Sequence, residues 1–187
     1  MRTLKLQVQI SIDGFIAGPN GEMDWMTWNW DDSLKEYVGK LTEPVSTIVL
    51  GRKLAEGFIP YWEQAAQGPE PQEGSEKLSS TPKVVFAKTL NDTGGWKDTV
   101  LAKGNLEDEI AKLKAEDGGD IIAYGGGTFV ASLIKANLID EYHLFVNPVA
   151  VGSGMPIFNT LDTKRPLQLV KATGFDCGIT VLHYTKA

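Results

Sequence analysis

The feature that most limits what this chain can fold into is its repeated alternation of short apolar runs with amphipathic helical segments. Leu4, Leu6, Val8 and Ile10 alternate with Lys5, Gln7 and Gln9, the period-two pattern of a strand. Thr47-Ile48-Val49-Leu50, Lys83-Val84-Val85-Phe86-Ala87, Thr99-Val100-Leu101 and Asp120-Ile121-Ile122-Ala123-Tyr124 read as further strands, the uninterrupted apolar ones as buried. Between them, Leu34, Tyr37, Val38 and Leu41 fall at helical spacing behind Asp31 or Asp32 as cap, and Pro44 ends the run. Arg52-Lys53-Leu54 opens a helix after Gly51. Leu106, Ile110 and Leu113 line another, capped by Asn105, with Glu107, Asp108 and Glu109 complementing its dipole and Gly118-Gly119 as its stop. Phe129, Val130, Leu133 and Ile134 form the next, closed by Asn137. Residues 64–82, with Gly68-Pro69, Pro71, Gly74 and Pro82, read as a surface loop.

The last third changes character. Glu141 to Val149 alternates, and strands near 167–175 and 178–185 meet at Asp176-Cys177-Gly178 as an antiparallel hairpin. Repeated strand-helix crossovers imply a mostly parallel sheet with helices on both faces, and the C-terminal hairpin adds an antiparallel edge. The predicted fold class is α/β, in one domain over residues 1–187, a length that suits a single core.

Charge and composition exclude some functions. A formal charge of −6, from 18 basic and 24 acidic residues, disfavours nonspecific nucleic-acid binding, which needs a positive field. No apolar run approaches the roughly 20 residues that span a bilayer, so a membrane partner is not expected. Cys177 is the only cysteine, which rules out an intramolecular disulfide and reads as a structural thiol in a reducing compartment. The opening Met1-Arg2-Thr3-Leu4-Lys5 has no long apolar stretch after its charges, so a cytoplasmic location is expected.

The chemistry concentrates where strands end. A strand that runs into Gly125-Gly126-Gly127 and then a helix puts free N–H groups at a helix N-terminus, and glycine lets an anion come close. The spacing is neither a Rossmann fingerprint, since Val130 occupies its last glycine position, nor a P-loop. Gly51-Arg52-Lys53 adds two cations at a second strand end, and Lys88 follows a third. Together they can hold two phosphates, a pyrophosphate and a ribose 2′-phosphate, which favours NADPH over NADH. Asp13-Gly14 and Gly18-Pro19-Asn20-Gly21 interrupt the chain just after the first strand, as an active-site loop or an ordinary connection. Trp25, Trp28, Trp30 and Tyr61-Trp62 can wall a pocket for a flat heterocycle or anchor the core. His143 and His183 lie in separate strands, at no metal-ligand spacing, and no metal site is expected.

These landmarks resemble the dihydrofolate reductase-like proteins related to the reductase domain of bifunctional riboflavin-synthesis deaminase-reductases. The resemblance rests on Ser11-Ile12-Asp13-Gly14-Phe15-Ile16-Ala17, Leu50-Gly51-Arg52-Lys53, Tyr124-Gly125-Gly126-Gly127-Thr128, and Leu138-Ile139-Asp140-Glu141 leading to Pro148-Val149-Ala150-Val151-Gly152-Ser153-Gly154. It implies a dihydrofolate reductase-like three-layer fold, and an NADPH-dependent oxidoreductase that delivers hydride to a C=N or C=O of a small heterocycle. The implied substrate class includes 5-amino-6-(5-phosphoribosylamino)uracil. Ile16 and Ala17 would lie near the nicotinamide, Gly51, Arg52 and Lys53 at the phosphates, Lys88 near the adenosine end, and Gly125, Gly126, Gly127 and Thr128 around the pyrophosphate. It also implies a cis peptide at Gly125–Gly126 and a homodimer through the strand-rich C-terminal part. Asp13, Asp31 and Asp32 are the candidate proton donors, beside an ordered water. Folate-type reduction and NADPH binding without turnover stand as the alternatives.

Overall fold

The structure, a computed structural model, describes all residues from Met1 to Ala187. Its elements run β1 (Leu4–Ile10), α1 (Asp32–Thr42), β2 (Val45–Gly51), α2 (Arg52–Gln67), α3 (Ser75–Ser80), β3 (Lys83–Phe86), β4 (Thr99–Ala102), α4 (Leu106–Ala115), β5 (Asp120–Ala123), α5 (Gly127–Lys135), β6 (Glu141–Val146), β7 (Leu167–Gly174) and β8 (Thr180–Lys186). The strands form one sheet in the order β4-β3-β2-β5-β1-β6-β8-β7. The first six are mutually parallel; β8 runs antiparallel to both β6 and β7. The expected parallel sheet with an antiparallel C-terminal hairpin is what forms.

Two helical layers cover the sheet. Ile110 of α4 and Val130, Leu133 and Ile134 of α5 pack on Leu4, Leu6, Val8, Ile121, Ala123 and Leu144. On the opposite face, Ala55 and Ile59 of α2 pack on Ile48, Leu50, Val85 and Ile122, while Leu34 and Leu41 of α1 pack on Phe145 and Val181. Each helix buries an apolar stripe that a strand on its own face completes, so neither layer stands without the sheet.

Local chemistry explains the ends of the elements. Asp31 caps α1, accepting from the Leu34 N–H at 2.9 Å, and Asn105 caps α4, accepting from Glu107 and Asp108. Asn137 takes a left-handed φ of 56° just past α5. Three boundaries differ from the sequence reading. The loop expected over 64–82 is helical at both ends, because α2 continues through Pro60 to Gln67 and α3 occupies 75–80. The helix expected to stop at Gly118-Gly119 ends at Ala115. The strand expected to reach Val149 ends at Val146, where the buried Asn147 side chain donates to Gln9 Oε1 and the Phe145 carbonyl and Pro148 offers no N–H.

Arg2 closes the edge formed by the amino ends of the parallel strands. Its guanidinium donates to the Gly119 carbonyl and to the Ser46 and Thr47 hydroxyls, so it takes no part in the opposite edge.

Candidate functional site

Because β3, β2, β5 and β1 are consecutive and parallel, their carboxyl ends share one edge of the sheet. That edge carries Lys88 after β3, Gly51-Arg52-Lys53 at the β2–α2 junction, Gly125 to Thr128 between β5 and α5, and the 11–18 segment after β1. Segments far apart in sequence thus meet where ligands collect in open α/β sheets.

The glycine loop is built for close approach. Gly126 precedes the first turn of α5 without any side-chain cap, which leaves the first N–H groups of that nine-residue helix for an anion. Gly125 and Gly126 adopt φ of 146° and 82°, values a side chain resists. The expected cis peptide at Gly125–Gly126 is absent: the chain contains none, and these two positive φ angles turn the backbone instead. Gly51 is needed for space rather than for its φ of −76°, since a Cβ there would lie 2.7 Å from Phe129 Cβ on α5. Small residues at both junctions let α5 sit directly over the strand ends.

Two clefts flank the first half of α5. One, of about 290 Å³, is lined by Phe86, Lys88, Gly104, Asn105, Phe129 and Ser132. The other, of about 390 Å³, is lined by Gly127, Thr128, Ser132, Met155, Asn159 and Thr160, with no charged side chain. Lys88 therefore falls in one cleft and the last two members of the glycine motif in the other, with Ser132 common to both. Met155, Asn159 and Thr160 were not singled out by sequence reading; the Gly152-Ser153-Gly154 punctuation before them was the only local signal.

The segment after β1 is tied down on the second cleft's side. Ile16 N–H donates to the Met155 carbonyl at 3.0 Å and Met155 N–H to the Ala17 carbonyl at 2.8 Å; Phe15 and Pro156 form an antiparallel bridge. Ile16 and Ala17 are buried, and Ile16 Cδ1 lies 3.6 Å from where a Cβ on Gly127 would be. This is ordered scaffolding at the mouth of the glycine loop.

The cations are exposed at the same edge. Arg52 pairs with Glu56 at 3.2 Å and donates to the Thr89 hydroxyl, while Lys53 and Lys88 make no ion pair. Arg165 donates to the Lys135 carbonyl at the far end of α5. The tryptophans line neither cleft: Trp30 packs on Phe145 and stacks with Trp28, and Trp62 packs on Phe58 and Tyr61. Anchoring describes Trp30 and Trp62, whereas Trp28 is 63% exposed.

Two of the three candidate proton donors are hydrogen-bonded within the fold and the third is exposed. Asp13 accepts from the Ser11 hydroxyl at 2.6 Å and from the Gly152 and Val151 N–H groups, and these bonds, led by Ser11, hold its carboxyl below the usual range. Asp31 accepts from Ser33, from the Cys177 N–H and from the Leu34 N–H, and its carboxyl is held well below the ordinary value, Ser33 contributing most. Asp32 projects into solvent beside Lys35. Carboxylates stabilised as anions by two or three donors take up a proton less readily, and none of Asp13, Asp31 and Asp32 lines either cleft.

A mostly parallel eight-stranded sheet with an antiparallel C-terminal pair and helices on both faces places the chain in the dihydrofolate reductase-like fold class. Residues 2–181 match the family model described as the RibD C-terminal domain, and the chain belongs to that family. It is 29% identical to the uncharacterized protein YyaP of Bacillus subtilis over 183 residues, covering 98% of this chain and 94% of that one. A solved structure from Shewanella sp. PV-4, named for riboflavin biosynthesis, superposes with a TM-score of 0.75 at 26% identity, covering 100% of this chain and 99% of the other. The diaminohydroxyphosphoribosylaminopyrimidine deaminase/5-amino-6-(5-phosphoribosylamino)uracil reductase of Thermotoga maritima shares the fold at a TM-score of 0.72 and 16% identity, and this chain spans 57% of its length. The family is reductase-like. No helix is long and apolar enough to cross a membrane.

Proposed function

We propose that the protein is a cytoplasmic NADPH-dependent reductase acting, as one domain over residues 1–187, on a C=N or C=O of a small heterocycle. The observation that carries this reading is the convergence of an uncapped α5 N-terminus and its glycine loop with Arg52, Lys53 and Lys88 at one sheet edge. The residues present fit a dinucleotide. Gly125 to Thr128 accept a pyrophosphate, and Arg52, Lys53 and Lys88 offer guanidinium and ammonium donors to a second phosphate. NADPH bound there supplies the hydride.

The chain's own residues do the rest. Ile16 and Ala17, both buried, hold Met155 through backbone hydrogen bonds, and Met155 gives the larger cleft an apolar side against which a ring can lie. Thr128, Asn159 and Thr160 offer neutral hydrogen-bonding groups to the substrate in the larger cleft. With Asp13 and Asp31 engaged as anions, the proton comes from water at the cleft mouth. A cleft without cations suits an uncharged heterocycle better than a phosphorylated one such as 5-amino-6-(5-phosphoribosylamino)uracil, which remains the family-guided substrate to try first. The engaged carboxylates also support a second reading, NADPH binding without turnover. The exposed edge strand β7, with Leu169 and Val170 both more than half exposed, supports a homodimer paired along that edge.

The deciding experiment is a fluorescence titration with NADPH and NADH, followed by a screen of NADPH oxidation with heterocyclic acceptors. NADPH binding that Arg52→Ala weakens more than it weakens NADH binding supports the reading. No NADPH binding at roughly millimolar concentration overturns it, and binding without oxidation selects the second reading.

A further inference from the structure

The polar face of the central strand is buried. Lys5 and Gln7 alternate with the apolar residues of β1 as if to meet solvent, yet they are 8% and 7% exposed, in the space between α1 and α2. Each begins a row of neighbours across the sheet. Lys5 pairs with Glu141 and then Thr185; Gln7 pairs with His143 and then His183. The chain's only two histidines, 40 positions apart, therefore stand side by side on β6 and β8, with Glu141 on the same face.

The three side chains converge. Glu141 Oε2 lies 3.2 Å from His143 Nε2 and 3.6 Å from His183 Nε2, and one ligand atom from each residue falls within 4.8 Å of the others. Two atoms bound to the same zinc-class ion at about 2.0–2.1 Å in tetrahedral geometry are themselves roughly 3.3 Å apart. The far nitrogen of His143, Nδ1, is 2.7 Å from the Tyr37 hydroxyl of α1, which fixes the ring with Nε2 toward Glu141, the outer-shell arrangement typical of metal-bound imidazole. Two polar atoms in the His143 row have no partner although buried: Gln7 Oε1 and His183 Nε2. Buried polar atoms are almost always satisfied, so this pair marks a place where something else belongs.

We propose that Glu141, His143 and His183 bind one divalent transition-metal ion on the α1–α2 face of the sheet. Two imidazoles and one carboxylate favour an ion of the zinc, cobalt or nickel class over magnesium or calcium. The two rings now stack, with centroids 4.2 Å apart and planes 19° from parallel, so one must turn to aim its lone pair at a shared ion. His183 is the ring free to turn, since Nε2 makes no hydrogen bond and its side chain is 22% exposed against 5% for His143. The nearby cation Lys5 is paired with Asp120 at 2.7 Å, which leaves Glu141 to meet the charge of the ion. The ion would tie β6 to β8, on the face opposite α5 and apart from the cofactor cleft.

The test uses untagged full-length protein, stripped with chelator and titrated calorimetrically with Zn²⁺, and with Co²⁺ for its visible spectrum. One Zn²⁺ per chain, an intense tetrahedral-type Co²⁺ band, and at least a tenfold weaker Zn²⁺ affinity in both His183→Ala and Glu141→Gln support the site. Tyr37→Phe should weaken Zn²⁺ by on the order of tenfold through loss of the outer-shell bond. Glu141→Gln keeps the shape of the side chain and covers the case in which His183→Ala does not fold. Absence of stoichiometric uptake, or uptake that survives both substitutions as surface binding, overturns the proposal. NADPH binding is read separately and bears on neither outcome.

Discussion

The Asp13 carboxylate accepts a hydrogen bond from the Gly152 N–H at 2.7 Å, bridging the turn after β1 to the loop after β6. Those two segments also exchange backbone bonds through Ile16, Ala17 and Met155, so the turn after β1 braces the Met155 wall of the larger cleft. Asp13→Ala should loosen that wall and weaken NADPH binding severalfold, with Asp13→Asn closer to the parent because it still offers one acceptor. Fluorescence titration of both variants checks this. A large loss of turnover with unchanged NADPH affinity would return Asp13 to the role of proton donor.

Gly51→Ala should be costly although its backbone angles suit any residue. The new methyl would meet Phe129 Cβ and push α5 off the strand ends. Overpacking of this kind costs about 1–3 kcal/mol, readable as a lower midpoint in urea, and cofactor affinity should fall with it. Phe129→Ala in the same chain keeps that Cβ and should not relieve the contact, so the double variant should be no more stable than Gly51→Ala alone. A Gly51→Ala chain as stable as the parent would mean that α5 gives way without cost.

Asp31→Asn should keep its helix cap, because asparagine caps as well as aspartate does. Any acceptor that the screen yields should then be reduced at close to the parental rate. A fall of roughly a hundredfold or more in kcat, with the fold intact by circular dichroism, would instead identify Asp31 as the general acid. Asp32→Asn serves as the solvent-exposed control.

Asp140 links acid stability to the sheet. Burial by itself would push its carboxyl up, but Lys114 at 2.5 Å, the Leu4 N–H at 2.8 Å and Lys186 at 2.9 Å outweigh that and hold it below the usual value. A carboxylate with a depressed folded pKa contributes stability above its unfolded value of about 3.9 and loses it as pH falls through the folded one. Urea unfolding should therefore show stability declining below about pH 4, with Asp140→Asn less stable by about 2 kcal/mol at neutral pH and less sensitive to acid. An unchanged acid limb in Asp140→Asn would show that other carboxylates dominate it.

Much of the fold was legible because its signals are local. Asp31 and Asn105 announce their helices through donors two and three residues ahead, and the apolar runs at 47–50, 83–87 and 120–124 declare buried strands wherever they pair. The glycine motif was legible for the same reason, since uncapped N–H groups and the lack of Cβ atoms are properties of a few consecutive residues. The cis bond implied by resemblance does not appear; Gly125 and Gly126 take positive φ with trans peptides.

The amino-acid sequence by itself determined the order of strands and helices, the parallel class of the sheet and the chemistry of the strand ends. Only the tertiary structure decided what those pieces face. It joined Lys88 to Asn105 in one cleft and Thr128 to Met155 in another, tied Asp13 to the loop after β6 and Asp31 to the turn before β8, and stood Gln7, His143 and His183 in one row across the sheet. Alternation along β1 states that its two faces differ, but not that α1 and α2 will cover the polar one. Burial and register depend on contacts between residues far apart in the chain, and a period-two pattern carries no record of them.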